Sequence, residues 1–366
     1  MRVQRVAPPD GGENSWTVLH DDWSVVEPIE AFLSHLTDQG RSPNTIKAYA
    51  HDLKDYFVYL EGRRLDWPLV KFDELAGFKP WLRLPPAQRR GNVAALPTAE
   101  SYCTAGTINR KIAAISTFYE YNVRNGVHIA AAIQSATRPA TMSSTSFRPF
   151  LAHIRREPPR RSGLKVHQPP RRPRVLSDPE VEKLFGACAR LRDKTLLGLL
   201  LDTGLRVGEA LGLRHGDVNT PDGVVEVRQR VNANEARAKS FERSVPVGAS
   251  WLRLYADYLH EEYGALDSDY VFVTLWSNPR GRPMTYGAVS DLFRRLRRHT
   301  GITVTPHMFR HTYATKLLRK GVKVETVSKL LGHASVTTTI QTYSHLTVED
   351  VRRELRRAGC LEPEDD

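Results

Sequence analysis

Four short polar clusters interrupt an otherwise apolar pattern in the second half of this chain: Thr203-Gly204-Leu205-Arg206, Ala238-Lys239-Ser240, His307-Met308-Phe309-Arg310-His311, and Gly332-His333 followed by Tyr343. Each carries side chains able to bind or move charge. Arg206 sits beside a glycine turn at a predicted helix start, where free backbone N–H groups favour an anion. An isolated arginine is more often a solvated surface group. His307 and Arg310 are three residues apart on a predicted helix and so share one face, free to converge on one ligand. His311, four residues after His307, also satisfies a metal-binding spacing. HMFRH lacks the glutamate of HExxH, however, and the neighbouring guanidinium repels a dication, so phosphate is the more natural guest. Arginine stays charged and its planar fork matches phosphate oxygens, so two arginines on separate elements can clamp one phosphodiester. Tyr343 lies in a polar, threonine-rich stretch, off any apolar stripe. Most tyrosines are structural. A phenol with a free pKa of about 10 needs a positive field and a proton acceptor before it can attack at neutral pH, and Arg206, Arg310, His307 and His333 are able to supply both.

The elements that position these groups follow from the whole chain. It has 366 residues, with 53 Lys plus Arg against 41 Asp plus Glu and a formal charge of +12. At about 100 to 200 residues per domain this length implies two domains. Apolar residues at 40% and charged residues at 26% suit folded globular domains and argue against a wholly disordered chain. Cys103, Cys188 and Cys360 lie far apart with no CxxC pair, so neither a disulfide framework nor a thiolate zinc site is legible and a reducing cytoplasm fits best. The opening MRVQRVAPPDGGENSW lacks the apolar core of a signal peptide, and no run approaches the 18 or so apolar residues of a membrane span. The expected protein is cytoplasmic and without a membrane partner. Its positive surplus calls for an anionic one.

Residues 136–174 contain ten Arg or Lys against the single acid Glu157, which supplies +9 of the +12. With seven prolines and the runs IRREPPRR and QPPRRPR, the segment reads as an extended, polyproline-like basic linker, either a solvated spacer or a strap for a polyanion. It separates an N-terminal extension (1–23) and a helical domain (24–135) from a second domain with a C-terminal tail (175–366). In the first domain Ser42 is the expected N-cap and Pro43 the first helical residue, followed by Ile46, Tyr49, Ala50, Leu53, Phe57 and Leu60 at helical spacing. Residues 107–122 repeat the pattern through Ile108, Ile112, Ile115, Phe118 and Tyr119, and residues 85–106 read as a loop. Arg41, Lys47, Lys54, Arg110 and Lys111 are able to reach phosphates, though solvated surface charge is their default. In the second domain Ser177-Asp178-Pro179-Glu180 forms a capping box for a helix through about Ala189. A buried helix over 193–201 ends near Gly204, another begins around Arg206, GVVEVRQRV and FERSVPV suggest a short antiparallel sheet, and helices resume near Thr285. The fold is thus mainly α, with an α+β second domain.

With these residues in view, the chain resembles the tyrosine recombinase (phage integrase) family of site-specific DNA recombinases. TGLRVGEALGL carries the first family arginine at Arg206, and Lys239 takes the place of the hairpin lysine. PHMFRHTYATKLL gives His307 and Arg310, LLGHASV gives His333, and the nucleophile falls on Tyr343; RSPNTIKAYAHDLKDYFVYL is similar to the family's core-binding helix. Six ordered positions make the match specific. Two departures stand out. Lys239 is one residue closer to the following Glu-Arg than in GKGNKER, although no other lysine lies between Lys194 and Lys316. The His333 to Tyr343 gap is also one residue longer than in many relatives.

The resemblance implies a SAM-like helical core-binding domain followed by a catalytic domain of the DNA breaking-rejoining fold. It implies that Tyr343 attacks a DNA phosphodiester to give a 3′-phosphotyrosine and a free 5′-hydroxyl, in integration, excision or transposition. Arg206 and Arg310 would stabilise the transition state, His307 act as base toward Tyr343, Lys239 protonate the leaving oxygen and His333 bond the phosphate. No cofactor and no metal are implied. The implied partner is double-stranded DNA, bound by a homo-tetramer on two sites, with the tail from about Thr347 docking on a neighbour. Rival readings are a non-catalytic DNA-binding protein on this fold, a type IB topoisomerase and, weakest, a metal-dependent nuclease.

Overall fold

The computed structural model describes residues 1–6, 15–89, 101–129, 164–168, 173–238 and 240–343. The chain divides into two units, Met1–Pro170 and Arg171–Asp366.

The first unit opens with an antiparallel hairpin of β1 (Arg2–Val6) and β2 (Ser15–Leu19), in register from Arg2 opposite Leu19 to Val6 opposite Ser15. No periodicity in the sequence announced it. Its inner residue Val18 is fully buried in the helical core, so tertiary packing rather than local pattern defines the strand. Helix α1 (Glu27–Asp38) buries Ile29, Phe32, Leu33 and Leu36, a single helical stripe. Helix α2 (Pro43–Glu61) starts as its sequence requires, with Ser42 extended and its hydroxyl accepting from the Thr45 N–H at 3.3 Å. Helix α3 (Phe72–Arg83) follows, and α4 (Ala105–Arg124) is capped by Thr104 and buries Ile108, Ile112, Ile115, Phe118 and Tyr119.

Two polar features depart from the sequence reading. Lys111 is only 5% exposed and lies between Asp52 and Asp55, 3.0 and 2.8 Å from their oxygens, while Arg110 also pairs with Asp52. Lys111 is therefore an internal tie between α2 and α4 and not a solvated charge. Residues 164–168, within the segment read as an extended basic linker, dock on α4: Asn109 donates to the Val166 carbonyl at 2.9 Å and accepts from its N–H at 2.8 Å, with Leu164 fully buried. Residues 136–163 lie outside the described residues.

The second unit begins with α5 (Asp178–Gly186) behind the expected capping box, Ser177 N–H to Glu180 at 3.0 Å and Glu180 N–H to the Ser177 hydroxyl at 3.4 Å. It ends before the expected Ala189. Helix α6 (Leu191–Thr203) is buried almost all round and packs against two helices later in the chain. It stops at Gly204, whose φ of +61° is left-handed; a Cβ there would lie 2.5 Å from the Tyr313 ring. Helix α7 (Val207–Leu211) follows immediately. The expected sheet is present: β3 (Val218–Asn219), β4 (Val224–Val227) and β5 (Arg243–Pro246) are antiparallel in that order, with Val225 opposite Val245. Then come α8 (Ala249–Tyr258), α9 (Tyr286–Thr300) behind its Thr285 cap, α10 (Pro306–Arg319), α11 (Val324–Leu331) and α12 (Val336–Tyr343). The fold is mainly helical with small antiparallel sheets. Among the described residues no helix is long and apolar enough to cross a membrane.

Candidate active site

The two arginines come from different helices. Arg206 is the residue before α7, and its side chain is 27% exposed. Arg310 sits in the first half of α10 and is 5% exposed. Arg310 donates to the Gly204 carbonyl at 2.8 Å and to the Leu331 carbonyl at 2.6 Å. Arg206 reaches the same Leu331 oxygen at 3.4 Å and the Gly332 oxygen at 3.4 Å. The left-handed Gly204 and Gly332 thus end α6 and α11 so that their carbonyls face the guanidinium groups. Burial, then the charge of Arg206, lowers the Arg310 pKa to about 10.

The free helix N-terminus expected at Arg206 is not open. Its backbone N–H donates to Glu209 at 2.9 Å. Glu209 is the residue the sequence reading missed. Its side chain is fully buried and accepts from Arg206 Nη1 at 3.1 Å, Arg243 Nη2 at 2.9 Å and the Ser240 hydroxyl at 2.5 Å. Burial pushes its pKa up, but the bonds from Arg243, Ser240 and Arg206 outweigh this and hold it below the ordinary value. Glutamate three residues after a helix start is a capping signature, and an acid inside the apolar run VGEALGL is the signal that could have flagged it. Arg243 also donates to the Leu330 carbonyl at 2.8 Å, tying β5 to α11. Lys239 lies outside the described residues. Its neighbour Ser240 is the one that bonds Glu209.

His307 stands at the exposed start of α10. Local desolvation of the ring, then Arg310 and Arg206, lower its pKa. His333 follows Gly332, and its Nδ1 is 2.7 Å from the Thr339 hydroxyl. Burial, followed by Arg310, Arg206, Arg243 and His311, brings its pKa down to about 4, so it is neutral at pH 7. Tyr343 ends α12 and is 7% exposed. Its hydroxyl meets Nδ1 of His311 at 2.9 Å, and the two rings stand edge to face with centroids 5.8 Å apart. Burial raises the Tyr343 pKa to about 12, against a lowering by Arg310. His311, weighed in the sequence only for a metal, is therefore the imidazole that bonds the phenol. Among the described residues no group of His, Cys, Asp and Glu has the makings of a metal site.

The chain matches the phage integrase family over residues 174–350 and the phage integrase N-terminal SAM-like domain over residues 29–126. It is 30% identical to the tyrosine recombinase XerC of Herpetosiphon aurantiacus over 325 residues, covering 88% of this chain and 91% of the relative. The chain belongs to the phage integrase family of tyrosine recombinases. The recombinase is also 36% identical to transposase A from transposon Tn554 of Staphylococcus aureus over 360 residues, 98% of each chain. Among solved structures it is similar to the Tn1549 transposon integrase in complex with transposon right end DNA, with a TM-score of 0.61, 17% identity and coverage of 91% and 99%. A lambda integrase dimer bound to a COC′ core site gives a TM-score of 0.57 at 18% identity, with coverage of 86% and 94%. At these identities the two structures establish the fold.

Proposed function

We infer that the recombinase breaks and rejoins duplex DNA at specific sites, with Tyr343 as nucleophile and a covalent 3′-phosphotyrosine as intermediate. The observation that carries this reading is the convergence of Arg206 and Arg310 on the Leu331 carbonyl, in the same domain as His333 and the Tyr343–His311 pair. Two like charges held close repel each other, and a phosphate arriving between them relieves that repulsion while they stabilise its nonbridging oxygens in the pentacoordinate transition state. A histidine of α10 takes the phenolic proton. Neutral His333 bonds the phosphate. Lys239 protonates the departing 5′-oxygen, since an alkoxide is a poor leaving group without an acid; the Ser240–Glu209 bond fixes the chain beside it.

The intermediate conserves the energy of the broken phosphodiester, so the scheme needs no nucleoside triphosphate, and Arg206 and Arg310 supply the positive charge at the phosphate. The basic segment 136–174 would serve as a strap along the DNA backbone, between a core-binding domain and a catalytic domain. Four protomers would assemble on two sites, the tail beyond Thr347 docking on a neighbour. Such work would be done in the cytoplasm, beside the DNA it acts on. The relative named as a transposase, at 36% identity, favours transposition as the outcome. The test is a nicked suicide substrate carrying candidate sites. A covalent adduct mapped to the peptide containing Tyr343 supports the reading, and an adduct elsewhere, or none with any candidate site, refutes it.

A further inference from the structure

We propose that His311, the residue after the second active-site arginine, is the catalytic base that takes the proton from Tyr343. The inference rests on Tyr343 being the nucleophile, and it names the histidine left open above. A general base must lie within hydrogen-bond reach of the proton it removes, and Nδ1 of His311 is 2.9 Å from the Tyr343 oxygen. His307 makes no such bond among the described residues. It stands one turn earlier on α10, at the exposed start of the helix, where it is placed to meet a phosphate held by Arg310. The edge-to-face packing of the His311 and Tyr343 rings fixes their orientation. Arg310, directly before His311, bonds the carbonyls of Gly204 and Leu331 and so holds that turn of the helix in place. A buried phenol is harder to ionise than a free one, which increases the need for a base in contact with it.

The step balances. The Tyr343 proton passes to Nδ1 of His311 as the phenolic oxygen bonds phosphorus; the bond from phosphorus to the 5′-oxygen breaks, and Lys239 protonates that oxygen. In rejoining, the 5′-hydroxyl attacks phosphorus and returns its proton to Lys239, while the phenolic oxygen departs and recovers its proton from His311. The role requires the tautomer of His311 that carries its proton on Nε2.

The experiment measures adduct formation at Tyr343 on a suicide substrate, beside DNA affinity, for the full chain. His311→Ala should keep its affinity for DNA and lose about 10²- to 10⁴-fold in cleavage rate. Added imidazole should restore part of the rate, as should a fluorinated tyrosine at position 343, whose more acidic phenol needs less help. Neither should rescue Arg206→Ala, whose defect is in the phosphate. An isosteric triazole analogue of histidine at position 311 keeps the packing while removing basicity, and it should be slow even if His311→Ala folds poorly. A rate for the triazole protein equal to wild type overturns the proposal, as does a slow His311→Ala that neither imidazole nor the acidic phenol rescues. If the wild-type adduct maps away from Tyr343, the underlying reading fails instead, which the same mapping reveals.

Discussion

Arg206, just before α7, and Arg310, in the second turn of α10, donate to one carbonyl oxygen, that of Leu331, at 3.4 and 2.6 Å. They are not equivalent. Arg310 is buried and satisfies Gly204 as well, whereas Arg206 keeps more than a quarter of its side chain exposed. Arg206→Ala should therefore lose about 10²- to 10³-fold in cleavage, the usual worth of a transition-state donor, with little change in melting temperature. Arg310→Ala should lose cleavage and also stability, by about 1–3 kcal/mol, because the buried Gly204 carbonyl loses its donor and that of Leu331 keeps only the longer bond from Arg206. Thermal denaturation beside adduct assays distinguishes the two, and equal melting temperatures would contradict the assignment.

Glu209 is the hub that holds Arg206, Arg243 and Ser240 together. Replacing it with alanine strands the buried Arg243 guanidinium and should cost about 3–5 kcal/mol. Its folded pKa is depressed, so its contribution is complete above the unfolded pKa and is lost as pH falls through the folded value. Glu209→Gln should therefore lower stability at pH 7 and flatten the acid limb of the stability curve. Denaturant titrations across the acid range check both effects; an unchanged acid limb would show that the buried carboxylate carries no such linkage.

Much of this architecture was legible because it is local. Ser42 and Ser177 announce their helices through the adjacent Pro43 and the capping Glu180, and the stripes of α2 and α4 follow from spacing alone. The arginines, histidines and tyrosine stood out as polar clusters in an apolar pattern. What stayed hidden depends on partners distant in sequence. Lys111 looked like surface until Asp52 and Asp55 closed around it, and His311 looked like half of a metal pair until α12 brought Tyr343 to it. The strand Ser15–Leu19 likewise owes its existence to the helices beneath it.

His333 provides a pH prediction of the opposite residue class. Its folded pKa of about 4 lies below the ordinary histidine value, so the unfolded chain binds more protons between the two values and stability rises with pH across that window. Above it His333 is neutral in both states and contributes no slope. His333→Asn should reduce the slope between those values. NMR titration of the imidazole should show no charge change near pH 6.5, and a midpoint there would refute the depression caused by burial and the neighbouring arginines.

The charge of residues 136–174 should be visible in the salt dependence of DNA binding. Each phosphate neutralised on duplex DNA adds about 0.9 to the negative slope of log affinity against log salt. Replacing Arg155, Arg156, Arg160 and Arg161 by alanine should make that slope shallower by up to about 3.6 if all four meet phosphates. Affinity should fall at low salt, and the loss should be similar for specific and unrelated sequences because phosphate contacts position a protein without reading bases. Cleavage of prebound DNA should be retained, since Arg206, Arg310 and the Tyr343–His311 pair lie outside the segment. Filter-binding or fluorescence titrations over a range of salt concentrations provide the measurement. An unchanged slope would make the segment a solvated spacer, leaving the folded domains to supply the phosphate contacts.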